Sequence, residues 1–495
     1  MSLELENDYM VQRHAHRTKL SEMGIDPYPG KCDRSHTSAE VVDQWGSLER
    51  EALEAEAVEV AVVGRVVLNR PMGKAGFATL EDGTGKIQIY VRKDAVDEKD
   101  FQAYQLTDLA DFVGVRGTLF RTRTDELTVK ATHFTFLSKA YRGLPAKFHG
   151  LKDMETRYRQ RYLDLLANPA VKNTFTRRSK IIQAIRDFMT HRGYLEVETP
   201  MMHAIPGGAN ARPFVTHHNA LDMTLYMRIA LELPLKRLIV GGFERVFEIN
   251  RNFRNEGIST QHNPEFTMME WYEAYTDLSG MKTMVEDLIK AVIDTVIGER
   301  ILPYGEHRLD FSKAFASYTL KEATCKFGGY TMEQLEDPAQ LAKIGVDLEI
   351  DEAESMEYGN LLAEVFETVA EPHLIQPTFI TQYPVSVSPL TKKEPGSQNF
   401  VERFELYIAG MELANAYTEL NDPVDQRDRF MDQLRQREAG DDEAQMLDED
   451  FLVAMEHGMP PTGGQGLGID RLVMLLTNSP SIRDVILFPQ LRPHG

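Results

Sequence analysis

The sequence predicts an α+β multidomain fold in which a small five-stranded β-barrel precedes a larger domain of helices and strands. Three observations carry this. Residues 58–137 alternate β-rich runs with turn residues and contain one short helical stretch. Beyond residue 171 long amphipathic helical patterns appear, separated by strands. The length, 495 residues, suits two or three domains with room for a large core.

Residues 1–57 read as an acidic, Ala- and Glu-rich helical extension. Val58–Leu68, Phe77–Glu81, Ile87–Val91, Phe112–Arg121 and Leu127–Leu137 read as strands. Asp82-Gly83-Thr84-Gly85 supplies a hairpin turn, Lys99–Leu109 a helix, and Thr124-Asp125-Glu126 the last turn. Five strands with a helix between the third and fourth is the order of an OB-fold barrel, over residues 58–140. Such barrels bind single-stranded nucleic acid by stacking and edge contacts. Phe77 and Gln88, on the second and third strands, are the candidates, and Arg70 in the loop between strands 1 and 2 offers a cation. Phe77 taken singly also reads as core. Gln88 alternates with Ile87 and Ile89, so it faces away from them. Residues 141–170 form a basic connector; Tyr158, Tyr162 and Leu165 fall on one helical face and Arg157, Arg159 and Arg161 on another.

From Lys172 to about His191 an amphipathic helix presents Ile181, Ile182, Ile185, Phe188 and Met189, and Gly193 ends it. The strand Tyr194–Glu198 then stops at Thr199-Pro200. Further on, Phe253-Arg254-Asn255-Glu256 is followed by six loop residues and His262-Asn263-Pro264-Glu265-Phe266. On a strand, Arg254 and Glu256 share a face. An arginine there can neutralise phosphate and carboxylate oxygens, a carboxylate can accept from an adenine amino group, and Phe266 can stack on the ring. A lone Arg-x-Glu reads as a surface ion pair; the whole constellation does not. Gly463-Gly464-Gln465-Gly466-Leu467-Gly468-Ile469-Asp470-Arg471 reads as a strand whose backbone approaches a ligand, then a helix. No Gly-Lys-Ser/Thr follows, so it is not a Walker loop.

Phe404–Ile408, Ala409-Gly410 and Met411–Leu413 read as a hairpin with a two-residue turn. Tyr407 then lies opposite Glu412, and Glu405 and Glu412 share a face. Paired carboxylates suit Mg²⁺, which takes a few protein oxygens. The same alternation sends Asn415, Tyr417 and Glu419 to the other face unless a bulge intervenes near Ala414.

Composition bounds the partners. No run of about 18 apolar residues occurs, so no membrane span is expected, and the acidic N-terminus is not a secretory signal. Cys32 and Cys325 are far apart; disulfides and zinc are not expected, and a reducing, cytoplasmic compartment fits. The net charge of −21 argues against a polyanionic partner until its distribution is considered. Residues 331–371 hold twelve acids against the single base Lys343, whereas residues 112–186 hold sixteen Lys or Arg against five acids.

In this order, the Lys172–Pro200, Phe253–Phe266 and Gly463–Arg471 segments resemble motifs 1, 2 and 3 of class II aminoacyl-tRNA synthetases. From about residue 58 to Pro493 the chain resembles the lysyl-tRNA synthetases of the aspartyl, asparaginyl and lysyl subgroup. Matching stretches include Lys147-Phe148-His149-Gly150-Leu151, Pro206–Phe214, Tyr226–Gly242, Asn415–Asp422 and Ile482–Pro489. The resemblance implies a catalytic domain over residues 171–495, built on a mostly antiparallel sheet flanked by helices, and a homodimer through motif 1. It implies an anticodon-binding barrel using Arg70, Phe77, Gln88 and Glu126. ATP would meet Arg254, Glu256, His262, Asn263, Phe266, Glu405 and Arg471, with Arg254 and Arg471 catalytic, Arg471 stacked on adenine opposite Phe266, and Mg²⁺ on Glu405 and Glu412. Gly208, Glu232, Arg254, Glu270, Tyr272, Asn415, Tyr417 and Glu419 would line a lysine pocket. The activity implied is lysine adenylation by ATP, then transfer to the terminal ribose of tRNA(Lys).

Physical chemistry agrees with that pocket. Lysine offers two ammonium groups and one carboxylate, so a selective site needs several acids and one cation. Buried acids left unpaired by a neutral analogue would reject it without an editing domain. A site for aspartate or asparagine would want a cation where Glu419 stands, and a ligase that attaches lysine to protein would lack the barrel. A non-catalytic paralogue would not retain Arg254, Glu256, Glu405, Glu412 and Arg471 together. Three positions depart from the pattern. Leu231 and Pro234 stand where relatives commonly have Pro and an aromatic, and Gln261 stands where many have an arginine for the γ-phosphate. Pro234 is tolerable if Glu232 lies in a helix's first turn.

Overall fold

The structure, a computed structural model, describes residues 7–144, 151–438 and 446–493; Lys147-Phe148-His149-Gly150 lie outside them. The chain divides into two compact units, Met1–Lys152 and Asp153–Gly495.

The first unit opens with helices α1 (Asp8–Glu22), α2 (Ser38–Trp45) and α3 (Arg50–Glu56). A closed barrel follows, made of β1 (Glu59–Met72), β2 (Ala75–Glu81), β3 (Lys86–Arg92), β4 (Phe112–Arg121) and β5 (Leu127–Ser138), paired in the order β1-β2-β3-β5-β4. Helix α4 (Glu98–Gln105) lies between β3 and β4. Strict alternation on β2 and β3 sends Ala78, Leu80, Ile87, Ile89 and Val91 into the core. Phe77, Thr79, Gln88 and Tyr90 are left half-buried on the outside. The Asp82 carboxylate closes the β2–β3 hairpin by accepting the Thr84 and Gly85 N–H groups. One reading needs correction: Arg70 is not in a loop. β1 continues to Met72 and turns at Gly73 (φ 62°), so Arg70 sits on the strand directly opposite Phe77.

The second unit begins with α5 (Met154–Arg159) and α6 (Arg161–Ala167), then the 23-residue α7 (Pro169–His191). Its centre is an eight-stranded sheet ordered β14-β15-β16-β17-β18-β11-β10-β6. These are β6 (Leu195–Glu196), β10 (Arg245–Phe253), β11 (Glu265–Ala274), β14 (Ala316–Thr319), β15 (Thr378–Pro384), β16 (Phe400–Ile408), β17 (Met411–Thr418) and β18 (Thr462–Gly468). Every pairing is antiparallel except β14–β15 and β6–β10. Short strands β7 (Met202–His203), β8 (Val215–His218) and β9 (Met223–Met227) make a separate sheet, and β12 (Ile301–Tyr304) with β13 (His307–Asp310) a hairpin.

One face of the large sheet is apolar. Phe247, Met269, Trp271, Phe404, Leu406 and Leu467 pack there against α7, α9 (Leu278–Val296) and α16 (Ile469–Thr477). Each helix contributes a continuous apolar stripe, such as Val285, Leu288, Ile289 and Val292 on α9. The opposite face carries the polar positions of β11, β16, β17 and β18. Helices α10 (Leu320–Gly328), α11 (Met332–Glu336), α12 (Pro338–Asp347) and α13 (Tyr358–Val369), which span the acidic stretch, build a separate core around Leu335, Leu341, Leu362 and Phe366. Helices α8 (Glu232–Val240), α14 (Pro423–Glu438) and α15 (Glu449–Glu456) meet around Phe430, Phe451 and Leu233, and the short α17 (Ile482–Val485) follows α16. Among the described residues no helix is long and apolar enough to cross a membrane.

Candidate active site

The β16–β17 hairpin turns on Ala409 and Gly410, at φ of 54° and 67°, and pairs Tyr407 with Glu412. Leu406 pairs with Ala414, so Leu413 is an extra, bulged residue and both Leu413 and Ala414 are buried. The bulge resets the alternation. Glu412, Asn415 and Tyr417 therefore point to the same open face, where Glu405 lies opposite Asn415.

A cavity on that face is lined by Arg254, Glu256, His262, Asn263, Phe266, Glu412, Asn415, Gly466, Gly468 and Arg471, among others. Contrary to the strand reading, β10 ends at Phe253. Arg254 and Glu256 reach the cavity from the turn beyond it, which is fixed by Arg254 N–H donating to Pro264 O at 2.9 Å. The Arg254 guanidinium lies over the Phe266 ring at 5.2 Å. Among the described residues it has no carboxylate in ion-pair range, and its buried Nε has no hydrogen-bond partner. Arg471 donates to Glu412 O at 2.5 Å and to His262 Nε2 at 3.1 Å. Desolvation and the charge of Arg471 lower the His262 pKa, so the ring is a neutral acceptor.

Glu405 is not among the cavity-lining residues. Its carboxylate accepts from Arg403 and from the hydroxyls of Tyr383 (2.8 Å) and Tyr407. Glu412, in contrast, is open to the cavity, and Arg471 lies 3.5 Å from its carboxylate. Among the described residues no group of three or more His, Cys, Asp or Glu is arranged to hold a metal.

Beside the cavity lies a buried acidic cluster. Glu232 is the first residue of α8, so Pro234 falls in the first turn, where a missing N–H leaves no intrahelical bond unmade. Gly208, at φ 87°, packs against it; an added Cβ would stand 3.1 Å from Glu232 Cβ. Glu270 on β11 accepts from Leu231 N–H and Tyr272 O–H, each at 3.0 Å. Burial and the Glu232 charge raise its pKa to about 7. Glu419, just past β17, is fully buried; burial raises its pKa to about 8, against the pull of Lys236. Its Oε1 has no hydrogen-bond partner among the described residues. Oε1 and the Tyr272 ring pack closely on Gly464: a Cβ there would lie 1.9 Å from Oε1 and 2.4 Å from the ring. Arg403 donates to Asn415 Oδ1 at 3.1 Å and lies 5.7 Å from the Tyr417 ring.

Two charged residues escaped the sequence reading. Lys236, fully buried in α8, pairs with Glu232 at 2.5 Å and also with Glu419. Arg403 orders Glu405, Asn415 and Tyr417. The available signals were an i, i+4 Glu–Lys pair and an Arg-x-Glu alternation, and both ordinarily mark solvent-exposed positions.

On the barrel, Phe77 stacks on Tyr90 with centroids 4.5 Å apart, outside the core. Gln88 donates to Glu126 at 2.9 Å and accepts from Thr128 at 2.9 Å. Arg70, Phe77, Gln88 and Glu126 thus all belong to the β1–β2–β3 side of the barrel and the turn before β5.

Comparison with known proteins assigns both units. Residues 60–137 match the OB-fold nucleic acid binding domain, and residues 153–492 match the class II tRNA synthetases (D, K and N). A lysine–tRNA ligase of Bacillus subtilis (strain 168) is 53% identical over 486 residues, covering 98% of this chain and 97% of that protein. One from Halalkalibacterium halodurans is 53% identical over 493 residues, covering 99% and 98%. One from Moorella thermoacetica is 52% identical over 495 residues, covering 100% and 99%. With its OB-fold barrel and its motif-bearing sheet, the chain belongs to the class II tRNA synthetases of the D, K and N group.

Proposed function

We propose that this chain is a lysine–tRNA ligase that adenylates L-lysine with ATP and transfers it to the terminal ribose of tRNA(Lys). The observation that carries the reading is the charge of the pocket beside the cavity. Of three buried carboxylates, Glu232 and Glu419 share one internal ammonium, Lys236, and Glu270 lies beside them, while Arg254 has no carboxylate in ion-pair range among the described residues. Once deprotonated, the three acids carry two negative charges beyond the one Lys236 neutralises, which with the Arg254 cation match a substrate with two ammonium groups and a carboxylate.

In this reading Phe266 stacks on adenine, Glu256 accepts from its amino group, and His262, Asn263 and Arg471 hold the phosphates. Arg254 bridges the α-phosphate and the lysine carboxylate, bringing nucleophile and phosphorus together. Glu419 and Tyr272 receive the ε-ammonium; Glu232, Glu270 and the Gly208 carbonyl receive the α-ammonium, while Asn415 and Tyr417 complete the wall. The donor set also fits Mg²⁺, which takes few protein oxygens and keeps the rest for phosphate and water. Glu412 would be the cavity-facing ligand, with Glu405 behind it on the same hairpin face, and the ion would neutralise triphosphate charge. Arg70, Phe77, Gln88 and Glu126 would read the anticodon, the α7–β6 segment would build a homodimer, and the setting would be cytoplasmic.

The test is ATP–pyrophosphate exchange across the amino acids, followed by charging of purified tRNAs. Lysine alone should support exchange, and tRNA(Lys) should be charged. Exchange with aspartate or asparagine would end the lysine assignment, and exchange without tRNA charging would favour ligation of lysine to a protein.

A further inference from the structure

We propose that Lys236 is a positioning residue for the amino acid: a resident ammonium, fixed between Glu232 and Glu419, that trims the pocket to the charge two substrate ammonium groups neutralise. The inference rests on lysine being the substrate.

Lys236 follows Glu232 by one helical turn. An ordinary i, i+4 pair lies in water and holds loosely. This one is fully buried, and a third partner, Glu419, arrives from the end of β17. Burial opposes the charge on Lys236, but Glu232 and Glu419 outweigh it and hold the ammonium protonated above its ordinary range. The groups facing this cluster are Glu270 and Tyr272 from β11, Tyr417 from β17 and Arg403 from β16. Lys236 already pulls against the burial that raises Glu419 to about 8. Without it, three carboxylates would share one desolvated pocket and hold their protons to a still higher pH, and those protons would have to leave before lysine could bind. Neither Glu419 oxygen has a hydrogen-bond partner among the described residues, but Lys236 ion-pairs with Oε2 and so leaves Oε1 as the acceptor. It therefore sets both the number of free negative charges and the direction in which one of them points.

The experiment is ATP–pyrophosphate exchange with wild type, Lys236→Met and Lys236→Arg, varying lysine, ATP and pH, with melting temperatures recorded. For Lys236→Met, the lysine KM should rise roughly tenfold or more, while the ATP KM and the saturated rate change by less than about threefold. The pH above which the lysine KM becomes constant should move upward by about one unit. Lys236→Arg keeps the charge but misplaces it, so its lysine KM should rise while its pH profile stays that of wild type. An unchanged lysine KM and profile in Lys236→Met, or equal loss of ATP and lysine use, would reduce Lys236 to a structural ion pair. If Lys236→Met does not fold, Lys236→Arg decides: a shifted pH profile there overturns the proposal. Failure of the lysine reading itself would appear separately, as wild type that does not exchange with lysine.

Discussion

In the proposed amino-acid site Glu419 concentrates the chemistry at one atom, because its Oε1 is buried, packed on Gly464 and without a hydrogen-bond partner among the described residues. Glu419→Gln keeps the shape but removes a charge-assisted hydrogen bond worth about 1.5–3 kcal/mol. The lysine KM in pyrophosphate exchange should rise roughly ten- to hundredfold with the ATP KM nearly unchanged; an unaltered lysine KM would remove Glu419 from the pocket. Protonation supplies a second expectation. Without lysine, burial raises the carboxyls of Glu270 and Glu419 to about 7 and about 8. Both acids are largely protonated at pH 6, so lysine affinity should climb toward pH 8 and binding should release protons. Titration calorimetry near pH 7 in phosphate and in Tris should give different enthalpies; identical values would contradict the shifted acids. Stability has the opposite sign. A native pKa above the unfolded one means that the contribution is complete below about pH 4 and is lost as pH rises through 7 to 8. The lysine-free protein should lose this part of its stability by pH 8, and bound lysine should restore it.

At the scale of elements, β18 shows why glycine is required beside the site. Gly464→Ala would drive a methyl group to 1.9 Å from Glu419 Oε1 and 2.4 Å from the Tyr272 ring. Overpacking of this kind costs about 1–3 kcal/mol and here would displace Glu419 and Tyr272, which the proposed function places on the lysine ammonium. Melting should fall by a few degrees while lysine-dependent exchange falls at least about tenfold; full exchange activity would mean that lysine lies elsewhere. The same elements explain what the sequence could reveal. Barrel strands, the two-residue turn at Ala409-Gly410 and the helix after Gly468 were legible because each follows from local periodicity or turn chemistry. The need for a bulge near Ala414 was also legible, since alternation could not otherwise bring Glu412 and Asn415 to one face; its position at Leu413 required the pairing itself. The end of β10 at Phe253 was not legible, because a strand stops where its neighbours stop pairing. Lys236 and Arg403 were hidden for a related reason: their spacing is local, but their burial comes from β11, β16 and β17 packing around them.

For the whole molecule, a net charge of −21 must be reconciled with a polyanionic partner. The acids of residues 331–371 lie on α11, α12 and α13 and in the turns that join and follow them, all in the second unit, where these helices build their core on β15 and β16. Uneven charge of this sort allows a nucleic acid to meet a basic region of an acidic protein, with binding that weakens as salt rises. By the proposed reading adenylation would involve only small ligands in the second unit, whereas anticodon recognition would use the outer face of the barrel, where Phe77 stacks on Tyr90. The two activities should therefore separate. Phe77→Ala removes one stacking surface, worth about 1–3 kcal/mol per base, and should raise the tRNA KM roughly 5- to 150-fold. The mutant's pyrophosphate exchange should match wild type, since Phe77 lies outside the barrel core and its loss opens no cavity. Raising salt should weaken tRNA charging far more than exchange in both proteins. If Phe77→Ala lowers exchange and charging together, the ring supports the fold of the barrel and is not a platform for bases.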